Sequence, residues 1–195
     1  MITSFVGTIK EQADNPVSGC GKTAAMTSFG YFDHIYKKKR VWSNYYTVFS
    51  ERVCGFQEMI DEIGTEPQPD LVILITEMKR LLNSLGSKQK QVHYIENFTS
   101  QLRKLQVDLS WDDQRYNSVH LRLRTLTDVI LMPKKYHEDN SPCNYNLCQK
   151  PHIIRVYSYK PYYEKARLIL DMNEVAKLYN SNEFCEDELI LSKGD

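Results

Sequence analysis

Ser18-Gly19-Cys20-Gly21-Lys22-Thr23 is the stretch that decides the fold. It follows a short apolar run over residues 2 to 7, ITSFVG, and the polar stretch TIKEQADNPVS. It opens a segment, from Thr23 to about Lys38, in which Ala25, Met26, Phe29, Phe32, Ile35 and Tyr36 recur at steps of three and four, so they share one helical face. A strand, a glycine-bearing loop and a helix in that order suit phosphate. The glycines let backbone amides turn inward around phosphate oxygens, and the helix N-terminus adds the positive end of its dipole. Lys22 reaches the β and γ phosphates and the Thr23 hydroxyl binds Mg²⁺. The loop departs from Gly-x-x-x-x-Gly-Lys-Thr at Pro16, which stands where the first glycine belongs and supplies no N–H. A turn that merely caps a helix is the competing reading of the same residues.

Working outward, the chain has 195 residues, 25 Lys plus Arg against 25 Asp plus Glu, and a formal net charge of zero. With 42% hydrophobic residues it can bury a full core, and the absence of pooled Pro/Gly linkers or repeats predicts a single domain over residues 1–195. Zero net charge excludes a protein that condenses nucleic acid through its bulk field, so any such contact must be local. No apolar run reaches the roughly 20 residues of a membrane span and no leader pattern is evident, which predicts a cytoplasmic protein. Five cysteines, Cys20, Cys54, Cys143, Cys148 and Cys185, are an odd number for a disulfide framework and predict reduced thiols.

Strands and helices alternate along the chain. Residues 40 to 48 read as a strand, FQEMIDEIG as a short helix ended by Gly64, and DLVILITE as a strand covered on both faces. A helix from Met78, a polar loop around Gly86 to Lys88, and a helix from about Gln91 to Leu105 follow, the last facing Val92, Ile95, Phe98 and Leu102 inward. VDLSWDDQ reads as a strand, SVHLRLRTL as a short helix, DVILMP as a strand, residues 134–152 as a Cys/His-containing loop, and HIIRVYSY as a further strand. A C-terminal helix and tail are expected over residues 161–195, the helix running from about Tyr163 to Leu178. This order predicts an α/β domain with a largely parallel central sheet flanked by helices.

An enzyme that hydrolyses a nucleoside triphosphate needs carboxylates at the end of a buried strand, one for the Mg²⁺ shell and one for the attacking water. The strand 71–75 ends in Thr76-Glu77. Glu77 fits the water-activating role, while Thr76 stands where Asp is usual and offers only a hydroxyl to a metal-bound water. Glu77 also reads as a simple cap on the next helix. Gln114, at the end of VDLSWDDQ, is a candidate sensor of the γ phosphate.

In GCGKT, VILITE, SQLRKLQVDLSWDDQR and RLRTLTD the sequence resembles the FtsK/HerA superfamily of ring-forming P-loop ATPases, most closely its viral genome-packaging branch. The resemblance covers about residues 1 to 132. It implies a RecA-like P-loop NTPase core, Mg²⁺-ATP hydrolysis between subunits of a homo-oligomeric ring of five or six, and translocation of double-stranded DNA, with a capsid or portal protein as partner. It places Ser18, Gly19, Cys20, Gly21, Lys22 and Thr23 at the phosphates, Thr76 and Glu77 beside them, and Gln114 as sensor. The departures are Pro16, Thr76 and the Trp111-Asp112-Asp113 run, where small or hydroxyl residues usually precede the sensor. Such rings take an arginine from the neighbouring subunit. Arg103, Arg122 and Arg124 are the candidates, each open to the alternative of a surface ion pair.

His137, Cys143, Cys148 and His152 supply four metal-ligand side chains from one polar loop, a set suited to tetrahedral Zn²⁺, or else they are unrelated residues of an ordinary loop. Lys88 and Lys90 are expected to line a pore and follow DNA phosphates, whereas Lys37 to Arg40 close a helix at the negative end of its dipole or else face DNA. Three functions fit: a DNA-translocating ATPase, an ATP-binding regulatory switch or scaffold with weak hydrolysis, and a zinc-dependent nucleic-acid-binding module.

Overall fold

The computed structural model describes residues 1–9, 19–84, 89–143, 148, 150–161 and 168–180. The elements are β1 (Ile2–Thr8), α1 (Lys22–Lys37), β2 (Arg40–Ser43), β3 (Arg52–Val53), α2 (Phe56–Ile63), β4 (Leu71–Ile75), α3 (Met78–Ser84) and α4 (Gln89–Leu105). They continue with β5 (Asp108–Arg115), α5 (Leu121–Leu126), β6 (Val129–His137), β7 (His152–Lys160), β8 (Leu168–Asp171) and α6 (Met172–Val175). The strands form one eight-stranded sheet in the order β3-β2-β4-β5-β1-β6-β7-β8. Pairing is parallel from β3 through β6 and antiparallel at β6–β7 and β7–β8.

The apolar run of β4 is explained by its place in the middle of the parallel part. Leu71, Ile73 and Ile75 enter the core on one face of the sheet, with Phe56, Met59, Phe98 and Leu102 from α2 and α4. Val72 and Leu74 enter the core on the other face, with Ala24, Ala25 and Met26 of α1. Burying each such aliphatic side chain contributes roughly 1.5–3 kcal/mol. Helix α1 lies close on its face because Gly30 has no side chain: a Cβ there would stand 2.6 Å from Leu74 Cδ1.

The same alternation fixes β5. Leu109 and Trp111 belong to the α2/α4 core, so Asp108, Ser110, Asp112 and Gln114 point to the α1 side. Asp112 and Asp113, adjacent in sequence, therefore serve opposite faces.

Three expectations need correction. The strand expected over 40–48 stops at Ser43, because Asn44 turns its side chain onto the backbone of Thr76, donating to Thr76 O at 3.1 Å and accepting from Thr76 N at 2.8 Å. The loop expected from residue 134 begins later, since β6 runs through Pro133 to His137. The pairing of β6 with β1 ends at Leu131, so Pro133 lies beyond that ladder, where a missing N–H is tolerated. Of the helix expected from about Tyr163 to Leu178, residues 163–167 lie outside the described residues, and from Leu168 onward the chain is instead the strand β8 followed by one turn of helix. Asp171 caps that turn by accepting from Asn173 N at 2.8 Å, and a helix begins after its cap. No helix among the described residues is long and apolar enough to cross a membrane.

Candidate functional site

Strands β1, β4 and β5 run parallel, so their carboxyl ends share one edge of the sheet, and β5 separates β1 from β4. Ligands bind at such edges in open α/β sheets. Gly21 caps α1 in a left-handed conformation, φ 88°, and no side chain bonds the first-turn amides from that cap. Gly19 is also left-handed, at φ 71°. A Cβ on Gly21 would overlap Ile154 of β7, so the antiparallel hairpin packs directly behind the loop. Cys20 is buried, which pushes its thiol pKa up despite nearby Lys22. Lys22 is also buried, its Nζ 4.0 Å from Cys20 Sγ. Ser18 lies outside the described residues.

The centre of the site is Asp112. Thr23 donates from Oγ1 to Asp112 Oδ2 at 2.6 Å. Thr76 donates from Oγ1 to Asp112 Oδ1 at 3.0 Å, and Glu77 N donates to the same oxygen at 3.0 Å. The carboxylate thus ties the first turn of α1 to the tip of β4. It is 1% exposed. Burial raises its pKa above the ordinary carboxylate value, while the Lys22 charge and the bonds from Thr23, Glu77 and Thr76 oppose the rise. Ile75 pairs with Trp111 in the β4–β5 register, so the next positions, Thr76 and Asp112, are neighbours. The carboxylate missing from position 76 stands one strand away.

Glu77 has a left-handed backbone, φ 56°, and its carboxylate lies 3.7 Å from Arg80 Nε. Partial burial pushes its pKa up, with Asp112 and Asp113 adding to the rise and Arg80 and Lys22 opposing it. The helix-capping role open to Glu77 is taken by Asp113, which accepts from Lys79 N at 2.6 Å on the far face of the sheet. Gln114 is half-buried two residues beyond Asp112, on the same side of β5.

The three arginines differ in their surroundings. Arg103 reaches Asp128 at 2.7 Å, and Asp128 also accepts from Ile2 N, so Arg103 sits at the start of β1, the opposite end from the loop. Arg122 bonds Ser100 Oγ at 3.0 Å. Arg124 is held by Val119 O at 2.9 Å and Asn117 Oδ1 at 3.1 Å, beside the Tyr116 ring. Lys88 and Cys185 lie outside the described residues; Lys90 falls in α4, with its side chain outside the described part.

The structure brings His137, Cys143, Cys148 and His152 together: one ligand atom from each lies within 4.8 Å of all the others. His137 and His152 form the last pair of the β6–β7 hairpin, with ring centroids 4.7 Å apart. Burial, with Lys135 and His137 nearby, lowers the pKa of His152.

Asp112, Asp113 and Asn44 carry much of this architecture and were not among the site residues expected from sequence. The available signal was two consecutive carboxylates on a strand otherwise fit for burial, since a buried carboxylate demands partners. Asp112 has three hydrogen-bond donors and a buried lysine nearby. The arrangement can hold a divalent cation: with its proton given to Asp112, the Thr23 oxygen keeps its lone pairs, and the cation would offset the buried carboxylate.

No protein-family model matches the chain, and no curated protein matches it. Among solved structures it is similar to the N-terminal domain of zonular occludens toxin from Neisseria meningitidis, with 14% identity, a TM-score of 0.50, and coverage of 92% of this chain and 98% of that one. A KaiC-like protein from Pyrococcus horikoshii aligns at 9% identity and a TM-score of 0.44, covering 85% of this chain and 81% of that one. The chain has an α/β fold with a mostly parallel eight-stranded sheet flanked by helices, matching the RecA-like P-loop folds.

Proposed function

We propose that the chain is a Mg²⁺-dependent ATPase built on a RecA-like P-loop core, in which Asp112 supplies the buried carboxylate of the metal site. The observation that carries this reading is the bridge from Thr23 through Asp112 to Thr76. Bound Mg²⁺ would draw charge from the phosphate oxygens as the terminal bond breaks. The uncapped first turn of α1 and buried Lys22 bind the phosphates. Asp112 fixes the Thr23 hydroxyl so that its lone pairs, not its proton, face the cation. Glu77, with its raised pKa, accepts a proton from the attacking water more readily than a fully solvated carboxylate does.

A weakly hydrolysing switch would follow from the lack of a carboxylate at position 76, and the Asp112 carboxylate beside Thr76 favours hydrolysis over that reading. Steady-state ATP hydrolysis tests the proposal. The wild-type chain should turn over Mg²⁺-ATP, Lys22→Ala should lose binding, and Glu77→Gln should bind ATP but lose at least about 100-fold in rate. An unchanged rate in Glu77→Gln would sink it.

The finer reading is translocation of double-stranded DNA by a homo-oligomeric ring, with packaging of a viral genome as its use. It rests on the resemblance in the GCGKT, VILITE, SQLRKLQVDLSWDDQR and RLRTLTD segments. Arg103, Arg122 and Arg124 are each bonded within their own chain, so the three stay equal candidates for the arginine offered to a neighbour. Addition of double-stranded DNA should raise the ATPase rate severalfold, and a rate indifferent to DNA at every protein concentration would refute this part.

A further inference from the structure

We infer that His137, Cys143, Cys148 and His152 form a closed, structural zinc site at the tip of the β6–β7 hairpin. Backbone geometry collects the four side chains from separate pieces of chain. His137 ends β6 and His152 begins β7, directly opposite one another. After His137 the chain turns back, with Asn140 N donating to His137 O at 3.0 Å and His137 N donating to Ser141 O at 2.9 Å. Pro142 then bridges to Tyr136, and Cys143 N donates to Lys135 O at 3.0 Å. Cys143 thereby reaches the two histidines from the side of β6 away from β7, and Cys148 completes the set.

Three properties of the cluster point to a metal. The four ligand atoms lie within 4.8 Å of one another, whereas ligands tetrahedral about Zn²⁺ stand about 3.3–3.8 Å apart, so a shift of about 1 Å closes the site. His137 Nδ1 and His152 Nε2 are buried with no hydrogen-bond partner among the described residues, a state that ordinarily costs stability and that a metal bond removes. Two thiolates and two imidazoles favour zinc over harder cations and fill all four positions, which marks a structural rather than a catalytic centre. Cys143 is buried and Cys148 half-buried, and neither forms a disulfide with another described cysteine.

The test is metal content of the intact chain expressed with added zinc and desalted without chelator. About one zinc per chain is expected, falling at least about tenfold in Cys143→Ser and in Cys148→Ser. His152→Cys, which keeps four zinc-competent ligands, should retain the metal and so separates ligation from misfolding. Replacement with Co²⁺ should give tetrahedral ligand-field bands and thiolate charge transfer in the wild-type chain, a measurement that needs no variant. Substoichiometric zinc in wild type, zinc retained in the Cys143→Ser/Cys148→Ser double variant, or a Cys143–Cys148 disulfide by mass spectrometry would each overturn the inference.

Discussion

Thr76, at the end of β4, donates its hydroxyl to Asp112 of the neighbouring strand at 3.0 Å, and that single bond places a carboxylate beside a position that itself carries none. The two residues follow the paired positions Ile75 and Trp111, so the carboxylate has moved across the ladder rather than along the chain.

Exchange of the pair should therefore be tolerated better than either half. Thr76→Asp alone sets two carboxylates side by side, and Asp112→Thr alone leaves none; each should lower ATP turnover by about 10–100-fold, the usual effect of losing a partner that orients a metal ligand. The double variant Thr76→Asp/Asp112→Thr should recover most of that loss. Rates measured across a Mg²⁺ titration check it, and a double variant as poor as the worse single would refute the exchange.

Asp112 should weaken the nucleotide-free protein as pH rises. Its pKa is raised in the folded state, so between the ordinary carboxylate value and that raised value the native chain holds a proton the unfolded chain has released. Stability falls with rising pH across that window. Asp112→Asn removes this dependence, so its stability relative to wild type should climb from about pH 4 upward and then level off. Denaturant melts without divalent cation give the difference directly. A difference that is flat or declines with pH would contradict the assignment.

Asn44→Ala should destabilise the chain by roughly 2–4 kcal/mol, because both its bonds to the Thr76 backbone are lost within a buried site. Asn44→Asp preserves the acceptor for Thr76 N, and its carboxyl when protonated can donate to Thr76 O, less well placed than the amide, a donor lost altogether on ionisation. It should fall between wild type and alanine at a pH where the new carboxyl is protonated. Chemical denaturation midpoints provide the comparison.

Gly21→Ala should fail for two separable reasons. Its φ of 88° is costly for any residue with a Cβ, about 1–3 kcal/mol, and the added methyl runs into Ile154. Ile154→Ala in the same chain should relieve the collision but not the backbone cost, so thermal stability should recover only in part.

Much of this was legible in the sequence. The apolar run 71–75 announced a strand covered on both faces, the steps of three and four after Thr23 announced α1, and the ligand spacing from His137 to His152 announced the cluster. What local pattern does not carry is which strands become neighbours. Thr76 and Asp112 read as two separate departures until β5 is placed beside β4, where they become one compensated change. The continuation of β6 past Pro133 depends on the ladder with β1 having already ended. The strand β8 depends on β7 being present to pair with Leu168–Asp171, because an apolar triplet such as Leu168-Ile169-Leu170 suits either a helix or an edge strand.

The contact between Gly21 and Ile154 also bears on how the protein is made. The Gly21 loop is synthesised before Ile154, which packs behind it, and β1 before β5 and β6, which flank it. A nascent chain halted before β7 carries GCGKT with no wall behind it. On the proposed function, nucleotide would act only on chains in which β7 has already docked behind the loop.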